Sequence, residues 1–214
     1  MVEVSDEAVA TYQRDGVVVL RGVFRDWVEP LLAGMAAAHA QPSALERSYR
    51  PSDGSAPFFQ DFCRWPDIPQ FRAYVFDSPA AAIAARLMRS RTARFFHDHT
   101  LIKWPGNSTV TPWHQDEPYY CVRGEQSVSF WTPLDPVSAA TSLQCVAGSH
   151  RWSAKGFRPD RFDGTSLYAK SDFDPLPDIE AQRSTHDIRV WDMQPGDAVA
   201  FDFRTVHGAA ANTA

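Results

Sequence analysis

Cysteine is scarce in this chain, with three residues among 214, at Cys63, Cys121 and Cys145. No two of them form a C-x-x-C pair, so the sequence predicts no cysteine-rich zinc site. Isolated cysteines of this kind are usually reduced and packed among apolar side chains. We therefore expect free, mostly buried thiols and a cytoplasmic protein.

Long apolar runs and clusters of basic residues are also missing. No run approaches the roughly 18–20 apolar residues that span a bilayer, and residues 1–15 are acidic and lack the regions of a signal peptide. Lysine and arginine number 21 against 26 acidic residues, a formal net charge of −5. Membranes and nucleic acids are therefore not expected partners, and the composition gives no indication of oligomeric state.

What the sequence does contain is a helical first part and a strand-rich second part, within a length that suits one domain of residues 1–214. Helical patterns cover residues 4–14, 26–39 and 71–89, with Asp26 as the N-cap of the second and Ser78-Pro79 as the start of a second helix within the third. A β-branched run, Val17–Leu20, follows Gly16. Residues 50–65 combine proline, glycine and serine with aromatics, which is typical of a long ordered loop.

From residue 93 onward, short strands alternate with Gly/Pro turns. The predicted strands are residues 95–104, 127–134, 143–146, 186–191 and 198–203. This order predicts a mainly β protein with α-helices: a double-stranded β-helix (jelly roll, cupin-like) over residues 93–214, buttressed by a helical portion over residues 1–92. Residues 151–182 are long for a connection inside a compact domain, so we expect a binding loop or lid there.

The segment His114-Gln115-Asp116, with His207 far along the chain, carries the most chemistry. Two imidazoles and one carboxylate form the set that holds iron(II) on one face and leaves the opposite face open. In an extended strand, His114 and Asp116 point to the same side because successive residues alternate. An H-x-D pair alone is weak evidence for a metal site, and the surrounding motifs strengthen that evidence.

Four stretches resemble the phytanoyl-CoA dioxygenase family of iron(II)- and 2-oxoglutarate-dependent oxygenases. They are Asp15 to Gly22 (DGVVVLRG), Lys103 to Gly106 with Thr111 to Asp116 (KWPG, TPWHQD), Val128 to Asp135 with Gly148 to Arg151 (VSFWTPLD, GSHR), and Gln194 to Asp197 with His207 to Ala209 (QPGD, HGA). The resemblance implies a double-stranded β-helix, iron(II), 2-oxoglutarate and dioxygen. It also implies oxidation of an unactivated C–H bond in a small molecule, typically hydroxylation, with release of succinate and carbon dioxide.

One departure from this pattern concerns the cosubstrate. The family binds the far carboxylate of 2-oxoglutarate with an arginine about ten residues beyond the final histidine, whereas this sequence ends at Ala214. We expect either that the sequence ends within the last strand or that 2-oxoglutarate is anchored differently. Related iron halogenases lack the metal-binding carboxylate, so Asp116 favours hydroxylation over halogenation.

Further candidates surround the metal-binding residues. Lys103 shares a strand face with His97 and His99, and it is predicted either to meet a 2-oxoglutarate carboxylate or to be a surface lysine at a strand end. By the resemblance, Trp131 walls the cosubstrate pocket or packs in the core. Gln115 is expected to point away from iron and to orient its neighbours by hydrogen bonds. The candidate substrate contacts are His99, Trp113, Tyr119 and Tyr120, and the last three have core packing as the alternative.

The remaining polar candidates are interpreted structurally. We expect His150 to fix a turn, Asp202 and Arg204 to form a surface or sheet-edge pair, and His97 and His99 to line a polar wall rather than to bind a second metal. Two other functions stay open. One is a non-catalytic, cupin-like protein that binds a metal or small molecule. The other is the same cofactors used for desaturation, epoxidation or cyclisation.

Overall fold

A computed structural model of the chain describes residues 3–161, 165, 167–168 and 172–212. Within these ranges there are four α-helices: α1 (Asp6–Asp15), α2 (Val28–Ala40), α3 (Pro69–Asp77) and α4 (Ala80–Leu87). The strands are β1 (Val17–Leu20), β2 (Phe58–Phe62), β3 (His99–Lys103), β4 (Thr111–His114), β5 (Ser129–Trp131), β6 (Leu143–Val146), β7 (Ile188–Arg189), β8 (Ala198–Phe201) and β9 (His207–Ala209). All pairings between these strands are antiparallel, so the prediction of a mainly β chain with helices is confirmed.

The strands form three sheets. One has the order β1-β8-β5, a second has the order β4-β9-β6-β7, and β2 pairs with β3. Two strands from the first 92 residues therefore hydrogen-bond with strands from the rest of the chain. The helical portion predicted over residues 1–92 therefore also contributes β1 and β2 to the sheets.

The continuous apolar run of β1 is explained by burial on both of its faces. Val17 packs with Val199 and Phe201 toward β6 of the four-stranded sheet, while Val18 and Leu20 pack under α1 and α4. Because neither face meets water, alternation of apolar and polar residues is not required. The same reasoning applies to β8, the central strand of this sheet, all of whose residues are buried.

Helix α1 leads directly into β1 through a tight C-terminal turn. Ser5 accepts a hydrogen bond from Ala8 N at its start (3.1 Å), as an N-cap residue should. At its end, Gly16 takes the left-handed conformation with φ 72° and donates to Tyr12 O. That conformation is cheap only for glycine. A Cβ at Gly16 would lie 2.3 Å from His150 Nδ1 and 2.7 Å from Thr205 Oγ1.

Two local predictions in the first part of the chain were wrong and one was correct. Residues 50–65 contain β2, whose pairing with β3 outweighs the nearby proline and glycine signals. Asp26 lies in a 3₁₀ turn (Arg25–Trp27), and α2 begins after it with Trp27 as the cap. The two-helix interpretation of residues 71–89 is confirmed, since α3 ends at Asp77 and α4 begins after Pro79.

The described parts of residues 151–182 cover one face of the four-stranded sheet. Phe157 and Ile179 are buried there against Val146 and Val206. Phe157 also forms a parallel bridge with Asp174. Both ends of this predicted loop are thus built into the core. The sequence also offers Arg158, Arg161 and Lys170 of this loop as contacts for an anionic small molecule, with solvated charges as the alternative, and Lys170 lies outside the described residues.

The cysteines are less buried than the sequence predicts. Cys145 is buried, but Cys63 and Cys121 are exposed, so the prediction of mostly buried thiols was wrong. All three are free. Over the part of the chain that the structure describes, no helix combines the length and apolar character needed to traverse a bilayer.

Candidate metal centre

The pairing of β4 with β9 brings the two predicted histidine ligands face to face. His114 is the register partner of His207, and their ring centroids lie 4.2 Å apart. The register shifts between Thr111 and His114, which marks an irregularity in β4 just before the site. Two residues 93 positions apart in sequence therefore become neighbours through antiparallel pairing.

Asp116 reaches the histidines through a turn. Strand β4 ends at His114, and Asp116 has helical backbone angles (φ −74°, ψ −42°) before a 3₁₀ turn at Glu117–Tyr119. Its Oδ1 lies 3.8 Å from His114 Nε2 and 3.6 Å from His207 Nε2. The ligand atoms of the three residues all lie within 4.8 Å of one another. The expectation of a shared side is met, although strand alternation is the wrong reason for it.

Both imidazoles are fixed by backbone carbonyls two residues earlier. His114 Nδ1 is 2.7 Å from Pro112 O, and His207 Nδ1 is 2.9 Å from Thr205 O. A carbonyl only accepts, so each Nδ1 is the donor, and each Nε2 is the nitrogen that faces Asp116. Burial and the neighbouring His207 lower the pKa of His114 to about 4. This ring is therefore neutral, as a metal ligand must be, throughout the ordinary working range of pH.

Backbone hydrogen bonds join the two segments that carry the site. The carbonyl of Phe203, in the turn between β8 and β9, accepts from Asp116 N (2.8 Å) and Glu117 N (2.9 Å). Gln115 is buried between the two ligands, where its amide donates to Arg204 O and accepts from Phe157 N (2.9 Å). Gln115 thus faces away from the histidines and connects β4, the β8–β9 turn and residue 157.

The second carboxylate oxygen of Asp116 has its own partner. Ser129 Oγ, on β5, donates to Asp116 Oδ2 at 3.0 Å. The hydroxyl of Tyr120 also interacts with this carboxylate, and burial together with Asp116 raises the pKa of Tyr120. The two oxygens of Asp116 therefore differ, since Oδ1 faces both imidazoles while Oδ2 is held by a serine.

Aromatic rings enclose the three ligands. Phe201 packs on His207 and Tyr119 packs edge-on against His114, with ring centroids at 4.6 and 5.8 Å. Tyr120 contacts His97 at 4.9 Å and Phe203 at 5.1 Å. These walls reduce access of water to the donor atoms. The His114, Asp116 and His207 side chains form the one group of potential metal ligands found among the described residues.

Comparison of the sequence with known protein families agrees with this arrangement of metal-binding residues. Residues 12–214 match the phytanoyl-CoA dioxygenase (PhyH) family. The chain belongs to the phytanoyl-CoA dioxygenase family. No curated protein matches the chain.

Solved structures with a similar fold have low sequence identity to this member of the phytanoyl-CoA dioxygenase family. The non-heme alpha ketoglutarate dependent carbocyclase SnoK from nogalamycin biosynthesis is 21% identical with a TM-score of 0.77, covering 99% of this chain and 79% of SnoK. The epimerase SnoN, in complex with Fe³⁺, alpha ketoglutarate and nogalamycin RO, is 22% identical with a TM-score of 0.71, covering 98% of this chain and 78% of SnoN. EctD from S. alaskensis, with 2-oxoglutarate and 5-hydroxyectoine, is 20% identical with a TM-score of 0.74, covering 98% and 71%. At these identities the similarity shows a shared fold.

The cosubstrate candidates suggested by the phytanoyl-CoA dioxygenase family lie at different distances from the ligands. Lys103 is half-buried beside the β4–β9 pair, with Nζ 3.1 Å from Ala210 O and 3.3 Å from Thr111 Oγ1. Its ammonium also lies 4.8 Å from the ring centroid of Phe58. Trp131 packs in the layer between the two larger sheets with Val199 and its neighbours. Gln115 has no contact with the histidine rings among its hydrogen bonds.

Three of the four substrate candidates lie around the ligands. Tyr119 and Tyr120 contact His114 and Asp116 as described above. His99 stacks on Phe62 with centroids 3.9 Å apart. His99 is an exposed residue, and desolvation by the protein around its ring together with the neighbouring His97 lowers its pKa. Trp113 instead faces the described parts of residues 151–182, called the covering segment below. There its indole N–H donates to Glu180 at 2.9 Å and its ring packs near Phe157 and Ile179.

His150, Asp202 and Arg204 were predicted to have structural roles. His150 is buried in its turn against Gly16. Asp202 and Arg204 do pair, at 3.2 Å, directly after the end of β8, and because Asp202 is only 4% exposed the surface alternative was wrong. Asp202 N also donates to Gly16 O at 2.9 Å, which fixes the turn before His207.

Two contributors were missed by the sequence interpretation, Ser129 and the Phe203 carbonyl. Alternation along β5 puts Ser129 on the same inward face as Trp131, which is a detectable signal for a buried hydroxyl. Its partner was not detectable, because β5 and the Asp116 turn meet only in the folded chain. A backbone carbonyl such as that of Phe203 leaves no mark in the side-chain pattern.

Proposed function

We propose that this protein is a non-haem iron(II)- and 2-oxoglutarate-dependent dioxygenase that hydroxylates a small molecule. The observation that carries the proposal is the arrangement of His114 and His207. Each ring has its Nδ1 committed to a backbone carbonyl and its Nε2 turned toward the same oxygen of Asp116. Such a site needs a cation to satisfy three converging donors that otherwise have no shared partner.

The donor set fits iron(II). Two imidazole nitrogens and one carboxylate oxygen on one side, with the other side open, are the set that non-haem iron oxygenases use. When bound, iron(II) with 2-oxoglutarate and dioxygen supplies the oxidation of a C–H bond, with succinate and carbon dioxide as co-products. The chain's own residues hold the ligands in place through the Phe203 carbonyl and exclude water with the rings of Tyr119, Tyr120 and Phe201.

The sheet arrangement supports a double-stranded β-helix as the architecture around this site. The β1-β8-β5 and β4-β9-β6-β7 sheets meet across a shared apolar layer that includes Val199, Phe201 and Cys145. We propose a single domain of residues 1–214 in which the described parts of residues 151–182 cover the four-stranded sheet. A cytoplasmic location and the binding of dioxygen are carried over as predictions from the sequence.

We propose that Lys103 binds the far carboxylate of 2-oxoglutarate. Thr111, which Lys103 contacts, lies three residues before His114, about 10 Å along an extended strand at 3.3 Å per residue. No carboxylate lies within ion-pair distance of Lys103 among the residues that the structure describes, and burial lowers its pKa to about 8. An anion at this position would stabilise the charged form of the lysine.

Replacing Lys103 with methionine should weaken 2-oxoglutarate binding about 10- to 100-fold, the range for a lost hydrogen bond to a charged group, while iron binding stays unchanged. In the wild type, affinity should fall as the pH rises past about 8, because the free lysine then loses its proton. Lys103→Arg should remove that pH dependence. Binding is measured by titration of the iron-loaded protein between pH 7 and 9.

Lys155→Met is the matched control, since Lys155 is an exposed lysine of the covering segment. Equal affinity of the Lys103→Met and wild-type proteins for 2-oxoglutarate would show that another group anchors the cosubstrate.

The outcome of the oxidation is the finer part of the proposal. The structures with a similar fold include a carbocyclase and an epimerase, and EctD was crystallised with 5-hydroxyectoine. Hydroxylation is proposed as the outcome typical of the family, and Asp116 favours it over halogenation. Desaturation, epoxidation or cyclisation by the same cofactors is the second candidate.

Product mass separates oxygen insertion from desaturation or cyclisation, and an exchangeable hydroxyl hydrogen in the product then separates hydroxylation from epoxidation. The protein is supplied with iron(II), 2-oxoglutarate and isotopically labelled dioxygen, together with fractionated metabolites that stimulate succinate formation. Hydroxylation should add one labelled oxygen atom and keep the hydrogen count. Loss of two hydrogens without oxygen would indicate desaturation or cyclisation. Metal binding without any succinate would favour a non-catalytic, cupin-like binding protein.

A further inference from the structure

The hydrogen bond from Ser129 to Asp116 joins a half-buried hydroxyl of β5, which lies beside an apolar layer, to the candidate metal site. Ser129 is paired with Phe201 of β8, and Trp131 shares its strand face. The layer into which this face points contains Leu143, Cys145 and Val199. Ser129 is half-buried, so a hydroxyl without a partner there would incur part of the cost of an unpaired buried polar group, which is roughly 1–3 kcal/mol. Its partner is a ligand carboxylate of the candidate metal site.

The direction of this hydrogen bond is fixed by chemistry. An ionised carboxylate only accepts, so the serine hydroxyl must donate its single proton to Asp116 Oδ2. Oδ1 faces both histidine Nε2 atoms, at 3.6 and 3.8 Å. The backbone of Asp116 is held separately by the Phe203 carbonyl. Ser129 therefore acts on the orientation of the carboxylate rather than on the course of the chain.

We propose that Ser129 is a positioning residue that keeps Asp116 as a one-oxygen ligand of the metal; this inference rests on the proposed function. A carboxylate can bind a metal through one oxygen or through two. With Oδ2 occupied by the hydroxyl, Oδ1 alone is directed at the ion. Asp116 then uses a single coordination position, and the face opposite the three ligands stays available for 2-oxoglutarate and dioxygen.

Loss of the hydroxyl has two consequences that can be measured. Outer partners of metal ligands typically contribute 10- to 100-fold to metal affinity, so Ser129→Ala should weaken binding about 10-fold. The freed Oδ2 should also approach the ion and change its coordination number. Ser129→Thr keeps the hydroxyl on a β-branched side chain, which strands accommodate well, and should restore both properties.

The test uses cobalt(II) as a spectroscopic substitute for iron(II), titrated into the full chain without 2-oxoglutarate. The dissociation constant and the visible absorption of bound cobalt are measured for the wild type, Ser129→Ala and Ser129→Thr. Ser142→Ala is the matched control, because the Ser142 hydroxyl is buried but has no hydrogen-bond partner among the described residues. Thermal unfolding of each metal-free protein checks that all four are folded.

The expected result is weaker binding and an altered cobalt spectrum in Ser129→Ala alone. Wild-type affinity with an unchanged spectrum in that variant would overturn the proposal. Equal weakening in Ser129→Ala, Ser129→Thr and Ser142→Ala would also overturn it, since packing and not the hydroxyl would then be responsible. If the wild type itself took up no cobalt, the proposed metal site would be wrong and the role of Ser129 would fall with it.

Discussion

Replacing Asp116 with alanine will abolish succinate formation and weaken iron(II) binding by more than about 100-fold. The lower bound follows because even partners outside the ligand shell contribute 10- to 100-fold to affinity, and Asp116 is proposed as a ligand itself. The substitution removes the one negative charge that faces both imidazoles, leaving two neutral donors. Affinity is measured by anaerobic calorimetric titration and turnover by succinate release.

Asp135→Ala provides the control for this experiment, because Asp135 is an exposed aspartate just beyond the β5 strand. That variant should bind iron and turn over 2-oxoglutarate like the wild type. Unchanged turnover in Asp116→Ala would show that the chemistry does not depend on this carboxylate, and the assignment of the ligand set would be wrong.

Replacing Gly16 with alanine will destabilise the protein by roughly 3 kcal/mol or more. A left-handed backbone costs an ordinary residue about 1–2 kcal/mol, and overpacking a filled interior adds about 1–3 kcal/mol. Both apply here, since Gly16 has φ 72° and its added methyl would lie 2.3 Å from His150 Nδ1. The free energy of unfolding is measured with urea on the metal-free protein.

The same substitution should also weaken metal binding, although Gly16 does not touch the ligands. Its carbonyl accepts from Asp202 N and from Thr205 Oγ1 (2.7 Å), and these residues form the turn that leads to His207. Gly54→Ala is the matched control, because Gly54 has φ 78° with nothing within 4 Å of the added Cβ. Equal losses of stability in the two variants would show that contact with His150 and Thr205 contributes nothing.

The sequence was most informative where chemistry is concentrated in few residues. His114, Asp116 and His207 were predicted as a group because their residue types and the motifs around them point to one kind of metal site. The structure brings their donor atoms within 4.8 Å of one another. The backbone conformation that places Asp116 beside the histidines was predicted less well, because it is a turn that depends on a hydrogen bond to the distant Phe203 carbonyl.

Features that depend on distant pairing were harder to predict. Strand β2 lies among proline, glycine and serine signals that favour a loop, and its pairing with β3, together with backbone hydrogen bonds to Arg47 and Tyr49, stabilises it as a strand. Trp113 is next to the ligand His114 in sequence, but its side chain faces the covering segment. Its position in the sequence therefore suggested a substrate contact that the packing does not support. Asp202 is buried by contacts with Gly16, which lies at the other end of the chain. Local patterns carry no information about such partners.

The most direct test of the proposed function is an anaerobic titration of the metal-free protein with iron(II) and then with 2-oxoglutarate. A metal-to-ligand charge-transfer band in the visible range should appear only when both are present, and it should saturate at one iron per chain. The band should be absent in His207→Ala, which removes the ligand supplied by β9. Saturation at wild-type intensity in that variant, or no band in the wild type, would contradict a single ferrous site held by His114, Asp116 and His207.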